Sequence, residues 1–148
     1  MNEAILVVED NEEDAMVVLN ALRNAGVKNS VHTVSDGDLA VAYLRGDGAF
    51  ADRRRFPLPG ILLLDLKMPR VSGFEVMQWL QTQPQFKKLL IIILSGHNEL
   101  REVQQAYKLG AHSFLIKPCT AQDIENLMRW FTEHWEVGAE GALQRRRQ

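Results

Sequence analysis

Five times along this chain a short apolar run gives way to an amphipathic stretch, and no other feature limits the fold as much. The runs lie at residues 4–9, 30–34, 61–65, 89–95 and 112–116. Each is too short for a helix and reads as a strand. The run at 89–95 is apolar at successive positions, which predicts burial on both faces and a central place. The stretches between carry apolar residues at helical spacing. Ala15, Val18, Leu19, Leu22 and Ala25 lie on one face of a helix over 12–25, and Gly26 stops it. Leu39, Ala40, Tyr43 and Leu44 form the stripe of a second helix, capped by Ser35 or Asp36. Ser72 with Glu75 is a capping box for a third helix through Trp79 and Leu80. Asn98 is placed to cap a fourth that ends near Gly110. Thr120 and Asp123 open a last one running to about Trp135.

Strand–helix alternation of this kind predicts an α/β fold, a doubly wound five-stranded parallel sheet with helices on both faces. Right-handed crossovers leave few topologies. The order 2-1-3-4-5 sets the first strand beside the third, and ligands of such sheets bind beyond the carboxyl edge where the order reverses. The first run ends in Glu9-Asp10, the third in Asp65 and the fifth in Lys117-Pro118. Three carboxylates and one ammonium therefore converge on one crevice.

At 148 residues the chain reads as one domain over residues 1–135 with a flexible tail over 136–148. The Arg145-Arg146-Arg147 run reads as a solvated end. A net charge of −2 supplies no general attraction to nucleic acid. No apolar run approaches the roughly 20 residues needed to span a membrane. The one cysteine, Cys119, excludes an internal disulfide and fits a reducing compartment. Met1-Asn2-Glu3 leads straight into a strand without a signal peptide, so a cytoplasmic location is expected. The four histidines lack zinc-ligand spacing.

Carboxylates a few ångströms apart repel, and without a counter-charge one of them stays protonated. A divalent cation removes that conflict, and Mg²⁺ takes oxygen ligands in octahedral geometry. Asp10 and Asp65 are placed to ligate directly, Glu9 through water, and the backbone carbonyl of Lys67 completes the protein side. Asp65 is the best-placed nucleophile, able to form an aspartyl phosphate. The metal and Lys117 would offset charge on the equatorial oxygens. The Lys117–Pro118 bond is expected to be cis. Ser95 ends the fourth strand with a hydroxyl facing the same crevice, and Gly96 leaves space for a phosphoryl donor. Taken singly, an acidic residue here reads better as a strand end or helix cap, and Ser95-Gly96 reads equally as a turn. The set argues for chemistry.

Val-Val-Glu-Asp-Asn at 7–11, Leu-Leu-Asp-Leu-Lys-Met-Pro-Arg-Val-Ser-Gly-Phe-Glu at 63–75, Ile-Leu-Ser-Gly at 93–96 and Gly-Ala-His-Ser-Phe-Leu-Ile-Lys-Pro at 110–118 resemble the receiver domain of two-component response regulators. The resemblance runs from about residue 4 to residue 135 and implies the flavodoxin-like receiver fold. It implies Asp65 as phosphoacceptor, Glu9 and Asp10 as the acidic pair, Lys117 as the site lysine, Ser95 as the switch hydroxyl and Phe114 as the switch aromatic. It also implies a signalling phosphoacceptor with at most self-phosphorylation and self-dephosphorylation, served by a sensor histidine kinase.

The chain departs from the family pattern at Lys67, two residues after Asp65, where the side chain affects phosphate lifetime. It also departs in Ser95 for the commoner threonine and in Phe114 for tyrosine. The insertion at 46–59 is similar to that of stand-alone receivers paired with phytochrome-type kinases. With no output domain after the receiver, the signal is expected to leave through a separate phosphotransfer or effector partner. Ile124, Leu127, Met128, Phe131 and Trp135 read as the core stripe of the last helix. Trp130 and His134 lie off that stripe and, with Tyr107, mark a face made by the fourth helix, fifth strand and fifth helix. Homodimerisation through that face is expected.

Three other readings compete. A phosphorylation-independent scaffold is one. A flavodoxin-like cofactor carrier shares the topology, but its phosphate site needs a hydroxyl- and glycine-rich first loop. Here that loop is acidic from Glu9 to Asp14. A phosphatase with an aspartyl nucleophile needs a second acid two residues on, where Lys67 stands.

Overall fold

The computed structural model describes residues 3–96, 100–130, 135–137 and 143–145. Five strands, β1 (Ala4–Val8), β2 (Val31–Val34), β3 (Pro59–Asp65), β4 (Leu90–Ser95) and β5 (Ser113–Ile116), form one parallel sheet in the order β2-β1-β3-β4-β5. Helices α1 (Glu12–Asn24), α2 (Gly37–Arg45), α3 (Gly73–Gln81), α4 (Leu100–Lys108) and α5 (Ala121–Trp130) alternate with them. The topology is the doubly wound one that the strand–helix alternation predicts.

Every residue of β1, β3 and β4 is buried, which is why these runs are apolar without alternation. Their side chains point alternately to two cores. Leu6, Val8, Leu62, Leu64, Ile91 and Ile93 meet α2, α3 and α4 through Tyr43, Leu44, Met77, Leu80 and Ala106. Ile5, Val7, Ile61, Leu63, Ile92 and Leu94 meet α1 and α5 through Val18, Leu22 and Ile124.

Helix starts are set by side-chain caps. Asn11 Oδ1 accepts from Asp14 N–H at 2.9 Å for α1, and Asp36 Oδ1 from Leu39 N–H at 2.7 Å for α2. Ser72 Oγ accepts from Glu75 N–H at 3.3 Å for α3. Thr120 and Asp123 cap reciprocally, Thr120 N–H to Asp123 Oδ2 at 2.9 Å and Asp123 N–H to Thr120 Oγ1 at 3.2 Å.

Several expectations are corrected. Leu39 is 38% exposed, because the buried face of α2 runs through Gly37, Ala40, Tyr43 and Leu44. Gly37 sits there because a Cβ would strike Val71. Strand β3 begins at Pro59, inside the stretch read as an insertion; the first position of a strand tolerates proline. The rest of that stretch is folded. A 3₁₀ turn spans Gly48–Ala51, and Arg53 donates to the carbonyls of Tyr43 at 2.8 Å, Leu44 at 3.0 Å and Phe56 at 3.3 Å. Arg53 thus ties the last turn of α2 to the loop that follows it. Tyr43, Phe50 and Phe56 pack as a ring cluster with centroids 5.0–6.0 Å apart, and Tyr43 Oη donates to Pro57 O at 2.9 Å.

Trp135, read as the end of the last helix, lies instead in strand β6 (Trp135–Val137), which pairs antiparallel with β7 (Leu143–Arg145). Five of those six residues, 136, 137 and 143–145, fall in the stretch expected to form the tail. Asn98, His97, Phe131 and His134 lie outside the described residues, as do the side chains of Met128, Trp130 and Trp135. Ile124 is buried as expected, and Leu127 is half-buried. No helix among the described residues is long and apolar enough to cross a membrane.

Candidate functional site

Register brings the expected residues together. Val8 pairs with Leu64, so Glu9 and Asp65 leave β1 and β3 side by side. Asp65 pairs with Leu94 and Ser95 with Ile116, which brings Lys117 to the same edge one residue later. Lys117 N–H donates to Ser95 O at 2.7 Å, and the Lys117–Pro118 peptide is cis. Lys117 Nζ then lies 3.2 Å from Asp65 Oδ2, 3.3 Å from Glu9 Oε2 and 3.3 Å from Asp14 Oδ2. Glu9 and Asp65 are buried, at 4% and 2% exposure, whereas Asp10 is exposed.

Backbone donors hold the two buried acids. Asn11 N–H reaches Glu9 Oε1 at 3.3 Å, and Lys67 N–H reaches Asp65 Oδ1 at 3.1 Å. The loop after Asp65 is folded tightly onto the start of α3. Gly73 N–H donates to Leu66 O at 3.0 Å, and a Cβ at Gly73 would strike the Asp65 carbonyl and Leu66 Cα.

Burial pushes the Glu9 carboxyl up to about 7, with the Asp65 charge adding to the rise and Lys117 opposing it. Burial also raises Asp65, while Lys117 and the Lys67 N–H pull it back. For Lys117, burial alone would lower the ammonium, but Asp65 and then Glu9 outweigh it and raise it. Lys117 therefore stays charged, and without a metal the Glu9–Asp65 pair holds a proton close to neutral pH.

Oxygen atoms of Glu9, Asp10 and Asp65 lie within 4.8 Å of one another. This hard, all-oxygen donor set, carrying more negative charge than Lys117 balances, fits a divalent cation. Lys67, expected to add its carbonyl, has its ammonium 3.4 Å from Glu102 Oε1 on α4.

A family model described as the response regulator receiver domain matches residues 5–129. The chain belongs to this receiver family. Such domains are generally signalling proteins in two-component systems. Among solved structures, the chain is similar to the bacteriophytochrome response regulator RtBRR, with 32% identity and a TM-score of 0.82 over 95% of this chain and 84% of that one. It is similar to the phosphorylated cyanobacterial phytochrome response regulator RcpA, with 29% identity and a TM-score of 0.73 over 90% and 93%. It is 28% identical to response regulator Rcp1 of Synechocystis sp. over 134 residues, 90% of this chain and 88% of Rcp1. The Mn²⁺-bound form of Rcp1 superposes with a TM-score of 0.70 at 26% identity, over 87% of this chain and 91% of that one.

In this receiver Ser95 is fully buried, and its hydroxyl donates to Gly96 O at 3.2 Å. Phe114 pairs with Ile93 across β4–β5 and meets Tyr107 edge-on at 6.4 Å. Tyr107 is 43% exposed on α4. The residue that sequence reasoning missed is Asp14, the third carboxylate on Lys117. Its signal was available: Asn11 caps α1, so the side chain four residues after Asp10 lies in the helix's first turn, at the strand-end edge.

Proposed function

We propose that this receiver accepts a phosphoryl group from a histidine kinase onto Asp65, with Mg²⁺, and relays the signal by a conformational switch to a separate partner. The observation that carries this is the Lys117 ammonium bridging Asp65 and Glu9 at 3.2 and 3.3 Å, with Asp10 beside them. An Asp65 oxygen bonds to phosphorus as the P–N bond of a phosphohistidine breaks, and the electron pair leaves on the imidazole. Lys117 offsets charge on the phosphoryl oxygens. Glu9, Asp10, Asp65 and the Lys67 carbonyl would hold Mg²⁺, which supplies further charge neutralisation at those oxygens. Water attack on phosphorus later breaks the P–O bond, releases phosphate and restores the carboxylate. The protein's own catalysis is limited to gaining and losing its phosphoryl group.

Ser95 is the switch hydroxyl in this reading, leaving Gly96 O for a phosphoryl oxygen, and Phe114 follows it. The α4–β5–α5 face, with exposed Tyr107 next to Phe114, then changes its preference for partners, a second copy among them. Similarity to RtBRR and RcpA supports a phytochrome-type kinase as the donor, and a cytoplasmic location is part of the same proposal.

The test is transfer of radiolabelled phosphoryl from a phosphorylated phytochrome-type kinase. Asp65→Asn abolishes labelling while the protein stays folded by circular dichroism. A labelled Asp65→Asn protein would refute the assignment.

A further inference from the structure

We propose that Asp14 shares Lys117 with the phosphoryl group and so sets how tightly the phosphorylated site is held. The inference rests on the function proposed above. Asp14 is a positioning residue: it acts on the site by holding Lys117 and by its own charge. Its Oδ2 lies 3.3 Å from Lys117 Nζ, the same distance as Glu9 Oε2. Yet it stands apart from the cation cluster, which comprises Glu9, Asp10 and Asp65.

The three carboxylates around Lys117 have different fates when the site is loaded. Glu9 and Asp65 face a cation that compensates their charge. Asp65 also carries the new phosphoryl group, which adds about one further negative charge. Asp14 gains no such compensation. It remains an anion on Lys117, competing for the ammonium and repelling the group that arrives. Lysine has three donors, so bond count does not limit sharing; charge does. With Lys117 in hydrogen-bond reach of both, Asp14 stands at most roughly 6 Å from the phosphoryl oxygens. Its side chain is 43% exposed, so the medium between is closer to water than to dry protein. A unit charge at that range and screening changes an equilibrium by about threefold to tenfold.

The sign differs for the two ligands. Neutralising Asp14 removes attraction for a cation and removes repulsion for an anion. Loss of structure at the start of α1 would weaken both. Titration calorimetry of the whole chain with Mg²⁺ alone, and then with beryllofluoride at saturating Mg²⁺, separates these cases. For Asp14→Asn, and for Asp14→Ser as a second neutral variant, Mg²⁺ binds more weakly. Beryllofluoride binds about threefold to tenfold more tightly. Asp14→Glu keeps the charge and brings no tightening. Unchanged or weakened beryllofluoride binding in both folded neutral variants overturns the proposal. A wild-type protein that takes up no beryllofluoride, or an Asp65→Asn protein that takes up as much, overturns the underlying function as well.

Discussion

Glu9 makes the metal-free protein's stability depend on pH in a direction opposite to that of an ordinary paired carboxylate. Its ionisation lies at about 7 in the folded protein against 4.5 for the free group, chiefly because it is buried. A group whose folded value is raised stabilises fully below its unfolded value, and that stabilisation is lost as pH climbs through the folded one. The window is therefore from pH 4.5 to about 7. At about 1.4 kcal/mol per pH unit, crossing it removes about 3 kcal/mol. In a domain of this size, that is about 9 °C in Tm between pH 4.5 and 7.5. The assay is scanning calorimetry in EDTA, comparing wild type with Glu9→Gln, whose amide cannot ionise. Wild type loses stability across the window, and the variant keeps only the smaller slope that Asp65 contributes. Saturating Mg²⁺ competes with the proton, so its stabilising effect on wild type grows with pH. Parallel Tm curves for wild type and Glu9→Gln in EDTA would refute the reasoning, because Glu9 would then be ionised or protonated alike in both states.

Two further perturbations test the scaffold. Arg53→Ala leaves the carbonyls of Tyr43, Leu44 and Phe56 without their guanidinium and costs about 2 kcal/mol; hydrogen exchange rises in residues 46–58 while the central strands stay protected. Gly73→Ala drives a methyl into the Asp65 carbonyl and Leu66 Cα, costs about 2 kcal/mol in denaturant titration, and weakens beryllofluoride uptake because the loop carrying Asp65 must shift.

The central strands were legible because burial on both faces leaves an apolar run that admits no other reading. The site was legible for a related reason: a parallel sheet collects its strand ends at one edge, so Glu9, Asp65 and Lys117 could be brought together without knowing any distance. What depended on how one segment lies against another was not legible. Arg53 is one of three consecutive arginines in the sequence, and only the fold places the carbonyls at the end of α2 beside it. Leu39 fits a helical stripe in the sequence, but rotating the helix by one position buries Gly37 instead, where Val71 leaves no room for a side chain. Asp14 is the exception: the Asn11 cap pointed to it, but two acidic neighbours masked it. Among Glu12, Glu13 and Asp14, only the third lies within reach of Lys117, and the Asn11 cap decides that.

In the switch proposed for Ser95 and Phe114, the arrangement seen here is held by few and weak contacts. Ser95 Oγ keeps its place through one bond to Gly96 O at 3.2 Å, worth about 1 kcal/mol. Phe114 keeps its place partly through an edge contact with Tyr107, worth about 1 kcal/mol more. The Lys67–Glu102 pair that links the Asp65 loop to α4 is solvent-exposed and adds little. If the proposed switch operates and the second arrangement lacks only these contacts, a difference of about 2 kcal/mol would leave it populated at a few per cent before any phosphorylation. Shifting that to near completion takes about 4–5 kcal/mol of preference. The added charge at Asp65 can supply it only if the bond from Ser95 to the phosphoryl group is charge-assisted and buried, where such bonds are strong. Ser95 meets the second condition already, since it is wholly enclosed at the end of β4. Burial of that one hydroxyl, rather than the number of contacts around α4, is therefore what would make the response of this receiver nearly all-or-none.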